Sequence, residues 1–201
     1  MRRYPVSGSG QFAAVSTSAV AAASALVSGA DYVFACSTNC YMRQGTALKI
    51  TCVAKANFAD TDFITITVNT VPVTYEFDTA GNGVTAGRVQ VNISGATTAA
   101  DCAAILRTAI LANQASLRVV DPTDGTLQVD LVDSRGLTID ETVANAGFTI
   151  TAGIMQASAV AGSTYVPAGV IFDIDGVRGA QVGAIRDSAD GRSTVTRYTT
   201  K

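Results

Sequence analysis

The chain has 201 residues, enough for one large domain or two small ones, and with 48% apolar residues it can bury a substantial core. Its 14 basic and 16 acidic residues are spread along the chain, so no basic stripe marks a nucleic-acid face; histidine is absent, which excludes Ser-His-Asp, Cys-His and His-metal chemistry. Charged residues make up only 15%, against roughly 25% in an average domain, a composition that suits a surface packed against neighbouring subunits.

Residues 1–30 are small, polar and poor in large apolar side chains, so they cannot fold alone and read as an extended arm that lies along another subunit. Arg2 and Arg3 ahead of AAVSTSAVAAASALVSGA imitate a signal peptide, but Ser16, Thr17, Ser18 and Ser24 break the apolar run and no export signal is expected. No segment reaches the roughly 18 to 20 apolar residues that span a bilayer, so no membrane partner is expected either.

At Asp31 the texture changes. Tyr32, Phe34 and Cys36 alternate with Val33 and Ala35, and after Ser37-Thr38-Asn39 the alternation resumes with Cys40 and Met42 up to Gly45, which reads as a hairpin. The cysteines are Cys36, Cys40, Cys52 and Cys102, and a C-x3-C pair with two isolated partners does not match the paired knuckles of a structural zinc site. Buried free thiols and disulfides both remain open. Cys36 and Cys40 flank a turn and could close the hairpin or pair with a neighbouring chain, and four cysteines allow three internal connectivities.

Further strands follow from about Thr46: Leu48, Ile50 and Cys52 share one face, Ile64, Ile66 and Val68 a second, and Val73, Tyr75 and Phe77 a third. Asp78 to Gly87 is a loop. Its Gly81, Gly83 and Gly87 suggest a nucleotide-binding turn, but they lead into the strand Val89, Val91, Ile93, and the helix N-terminus that would receive phosphate is missing. Asp78, Asn82 and Gly83 fit three positions of a calcium loop, but Ala80 and Val89 stand where ligands are required, so turn chemistry is the better reading. No cofactor and no metal are expected.

Thr97 to Asn113 is the segment whose apolar residues repeat at helical spacing, with Ala99, Cys102, Ala103, Leu106 and Ile110 on one stripe. Thr98 and Asp101 form a capping-box pattern, and the helix is expected over about 98–113. Beyond it come Leu117 to Val120, an Asp121-Pro122-Thr123-Asp124-Gly125 turn, and the strand Leu127, Val129, Leu131; Asp140 to Ala146 reads as a short helical turn before Phe148 and Ile150. The last stretch alternates again through Val170, Phe172 and Ile174, turns at Gly176 to Gly179, and ends in Gln181 to Ile185 and Ser193 to Tyr198. Asp173 and Asp175 share the solvated side of a half-exposed strand, with no third group to make them an acid pair. No catalytic residue is expected.

Tyr41, Met42, Arg43 and Gly45, then Val166-Pro167-Ala168-Gly169, Val182 to Ile185, and Ser188, Ala189, Gly191, Val195 and Thr196 form a pattern that resembles a family of small tailed-phage structural proteins. In that family such elements build a small β-sandwich, the last of them a hairpin. The middle, a strand, TTAADCAAIL helix and strand, resembles domains that recur in phage capsid, neck and tail proteins. The resemblance implies a mainly β fold: residues 1–30 an extended arm, 31–46 plus 162–201 a β-sandwich made by both chain ends, and 47–161 an inserted α+β domain holding the one principal helix. Such an insertion is tolerated because loop-closure entropy grows only logarithmically with length.

The implied function is non-catalytic: a virion component of capsid-decoration, collar, neck or tail type, assembled in the host cytoplasm, that binds and reinforces other virion proteins. A symmetric homo-oligomer such as a trimer is expected, with no nucleic-acid and no membrane partner. The competing reading is a secreted adhesion or carbohydrate-binding β module, with residues 1–30 as a cleaved export signal.

Overall fold

The structure, a computed structural model, describes residues 3–5, 11–15, 24–121, 123–155, 157, 163–176, 178–188 and 191–200. In chain order the strands before the helix are β1 (Arg3–Pro5), β2 (Gln11–Val15), β3 (Ser24–Ala25), β4 (Asp31–Cys36), β5 (Cys40–Thr51), β6 (Phe63–Val68), β7 (Val71–Asp78) and β8 (Val89–Asn92). The helix α1 (Ala99–Asn113) is followed by β9 (Arg118–Val120), β10 (Thr126–Val132), β11 (Leu137–Glu141), β12 (Thr149–Ala152), β13 (Thr164–Val166), β14 (Ile171–Asp175), β15 (Gln181–Arg186) and β16 (Gly191–Thr200). The fold is mainly β with one principal helix among the described residues.

The chain divides into two compact units, Met1–Thr46 with Val132–Arg135 and Ile154–Lys201, and Ala47–Leu131 with Gly136–Gly153. The expected insertion at 47–161 therefore gives up two stretches to the first unit, Val132–Arg135 and the residues from Ile154 on. Arg135 accounts for the first of these, since its guanidinium donates to Leu26 O at 2.8 Å and Gly176 O at 2.6 Å, fixing two turns of that unit.

In the first unit β4 pairs with β14 (Phe34 opposite Phe172) and with β16 (Phe34 opposite Val195), while β5 pairs with β15 (Met42 opposite Ala184) and with β13 (Cys40 opposite Val166), all antiparallel. Tyr32, Phe34, Cys36, Ile174 and Val195 from the first sheet pack in one cluster with Cys40, Met42, Val166, Val182 and Ala184 from the second, which makes a β-sandwich from both chain ends. The β4 to β5 hairpin expected over 31–45 does not form, because the two strands lie in different sheets. The connections β13 to β14, β14 to β15 and β15 to β16 switch sheets in the same way, so the final hairpin is a corner too. Each strand takes partners distant in sequence, and a turn-rich tripeptide serves a sheet-switching corner as well as it serves a hairpin.

The expected arm is also corrected. Its described pieces are extended, but they add to the chain's own sheets: β1 and β2 pair with β16 and β3 pairs with β15, where backbone groups at sheet edges find partners. Gly183 on β15 is required by close approach, since a Cβ there would stand 2.0 Å from the Met155 carbonyl oxygen.

In the second unit β6 and β7 form a two-residue hairpin, β11 pairs with β6, and β8 runs parallel to β7. Helix α1 packs on β7, β8 and β9 and buries Cys102, Ala103, Leu106 and Ile110, four of the five residues on the expected stripe; burying a leucine such as Leu106 stabilises by about 1.5 to 3 kcal/mol. Its N-terminus carries both halves of the capping box: Thr98 Oγ1 accepts from Asp101 N at 3.1 Å, and Asp101 accepts from Thr98 N at 2.8 Å. Phe58, Phe77 and Phe148 stack at 4.3 to 6.2 Å between ring centroids. The helical turn expected over 140–146 is absent. Leu137–Glu141 is strand, with Ile139 opposite Ile66, because burying that face against β6 outweighs weak local helix preference.

Candidate functional site

The loop after β7 is organised by carboxylates. Asp78 has no exposed surface and accepts from the amides of Gly81 (2.6 Å), Asn82 (3.2 Å) and Gly83 (3.0 Å) and from Gln90 Nε2 (2.6 Å). Burial opposes its charge, but the bonds from Gln90 and the three amides outweigh that and hold its pKa below the ordinary carboxylate value. The amides that would face a phosphate therefore face the chain's own Asp78. Asp60 accepts from the hydroxyl and amide of Thr79 and the amide of Ala80, which lower its pKa, and Glu76 accepts from Thr85 N and from Arg88 at 2.7 Å. The Arg88 guanidinium also lies 4.2 Å from the centre of the Phe63 ring. Sequence spacing left this loop as plain turn chemistry; Asp78 followed at short range by Gly81-Asn82-Gly83 was the signal that it closes on itself.

Asp121 and Asp124 do not converge on a ligand. Asp121 accepts from Thr123 N at 2.8 Å and Asp124 from the amide and hydroxyl of Thr126, which are turn contacts. Asp173 and Asp175 are exposed on β14. Among the described residues no group of three or more acidic, cysteine or histidine side chains could hold a metal ion.

Cys36, Cys40, Cys52 and Cys102 are all free and buried. They fall in two cores, Cys36 and Cys40 in the sandwich, Cys52 and Cys102 in the helix-bearing unit. Cys36 and Cys40 hydrogen-bond each other; the bond from Cys40 draws the Cys36 pKa down, and the same bond pushes Cys40 up. Burial pushes Cys52 up to about 12 and Cys102 up to about 11.

Two features of the sandwich face outward. A cleft of about 530 Å³ is lined by Arg43, Gln44, Asp133, Asp173, Asp175 and Arg178 among others, with the Gln44 amide donating to Asp175 O. Arg43 and Gln44 are buried there, a placement that strand alternation did not reveal. Among the described strands β14 pairs with β4. Val170, Ile171 and Phe172 are exposed at its start, Ile171 at 69%, and Tyr165 on β13 is exposed as well. In comparisons with known proteins no family model matches this chain, and neither a curated protein nor a solved structure does.

Proposed function

We propose that this chain is a phage virion structural protein that binds and reinforces other virion subunits, as a decoration, collar, neck or tail component, and that it works by surface burial without catalysis. The observation that carries the reading is the exposed apolar start of β14. Three successive exposed apolar residues, Val170, Ile171 and Phe172, are a surface that contact with another subunit covers, and the exposed Asp173 and Asp175 bound that patch along β14. The placing of the resemblance residues supports it further: Tyr41 to Gly45 lie on β5, Val182 to Ile185 on β15, and Val195 and Thr196 on β16 of one sandwich. A symmetric homo-oligomer, for example a trimer, is a simple way to bury one such patch in every copy.

Quantitative mass spectrometry of density-banded phage particles tests this. The chain is expected at a fixed copy number that survives high-salt washing. Its absence from the particles, together with recovery as an exported protein truncated near Ala30, would replace this reading with that of a secreted module.

A further inference from the structure

We propose that Cys36 and Cys40 form a reversible oxidation site, at which a peroxide closes an intrachain disulfide linking the end of β4 to the start of β5. The pair is set apart from the other thiols by where it stands. β4 and β5 belong to different sheets, so this bond would tie the two sheets together at the Ser37-Thr38-Asn39 corner. The corner is held in place by Ser37 N donating to Arg192 O at 2.9 Å and by Asp187 N donating to Asn39 O at 3.0 Å. Cys36 and Cys40 are 3% and 0% exposed, yet Ser37 beside Cys36 is exposed and Thr38 and Asn39 are only half-buried, so the corner next to the pair reaches solvent. A small oxidant such as a peroxide suits that depth.

Both side chains lie in the same sandwich core at the two ends of the Ser37-Thr38-Asn39 corner, which places them where a disulfide of about 2.05 Å can close. Cys36, the less buried of the two and adjacent to the exposed Ser37, is the attacking group, and its pKa is drawn down by Cys40. Its thiolate attacks a peroxide oxygen; the S–O bond forms, the O–O bond breaks, hydroxide leaves, and sulfur is oxidised to the sulfenic acid. The Cys40 sulfur then displaces the sulfenic oxygen, the S–S bond forms, and that oxygen leaves as water with the Cys40 proton. One peroxide accepts two electrons, and a dithiol reductant reverses the change. Cys52 and Cys102, whose pKa values are pushed up to about 12 and about 11, form thiolate less readily than Cys36 and serve as internal controls.

The test treats the full chain with hydrogen peroxide, removes the excess with catalase, and alkylates under denaturing conditions before tryptic digestion. The peptide between Arg3 and Arg43 carries Cys36 and Cys40 and neither other cysteine. It is expected to lose two hydrogens and take no alkyl group, to recover both alkylation sites after dithiothreitol, and to leave Cys52 and Cys102 alkylated throughout. In Cys40→Ser, dimedone is expected to trap Cys36 as its sulfenic acid. Full alkylation of the peptide after peroxide, or a link from Cys36 to another cysteine or another chain, would overturn the assignment. The wild-type peptide decides the matter even where the variant does not fold.

Discussion

The Tyr75 hydroxyl donates to Gln114 Oε1 at 3.0 Å, and Gln114 Nε2 in turn donates to Ile66 O at 3.1 Å, so one side chain at the C-cap of α1 joins the helix to both β6 and β7. Tyr75 is fully buried and Gln114 nearly so, which leaves no water to replace a lost partner. Tyr75→Phe is expected to destabilise the protein by about 1 to 3 kcal/mol, the cost of stranding a buried acceptor. Urea denaturation gives the number, and a change below measurement error would show that the network carries no weight.

Thr98→Ala removes the acceptor for Asp101 N at the start of α1. A loss of about 1 kcal/mol is expected, within the 0.5 to 2 kcal/mol of such caps. Circular dichroism of the variant during thermal unfolding checks it.

At the β6 to β7 turn Asn69 and Thr70 both have positive φ, 47° and 74°, as a type I′ turn demands. A β-branched residue is strained there, and glycine is not. Thr70→Gly is therefore expected to stabilise by roughly 0.5 to 1 kcal/mol, after allowing for the greater freedom of glycine in the unfolded chain. Gly136 packs so closely on this turn that a Cβ would stand 2.2 Å from Asn69 Oδ1, so Gly136→Ala is expected to act in the opposite direction in the same unfolding assay.

Acid should loosen the loop after β7. Asp60, Asp78 and Asp101 all have folded pKa values below the ordinary 3.8, Asp101 through the amides of Thr98 and Thr97. A depressed folded pKa contributes stability that is complete above the unfolded value and is lost as pH falls through the folded one. The melting temperature should then hold level down to about pH 5 and fall steeply below about pH 4. Asp78→Asn, scanned by calorimetry over the same range, should start lower and fall less.

What could be read in the chain beforehand was local. The helix, its buried stripe and its Thr98 to Asp101 cap follow from residues three and four apart, and the structure keeps them. The pairing of strands is not local: nothing within Cys36 to Cys40 says whether the corner doubles back in one sheet or crosses to another, since that is decided by β14 and β16 more than 130 residues later. Asp140 failed for the same reason, as its neighbours Leu137 and Ile139 are claimed by β6. The closed carboxylate loop around Asp78, the buried Arg43 and the joint burial of Cys36 and Cys40 in one core depend on such pairings.

The measurement closest to the assembly role is a side-chain-resolution cryo-electron microscopy map of the intact particle. The account predicts density for this chain in the capsid, neck or tail, with another subunit, whether a second copy or a different virion protein, covering Ile171 and Phe172 at the start of β14. A particle map that contains no such chain, or one that leaves Ile171 and Phe172 facing solvent, would contradict it.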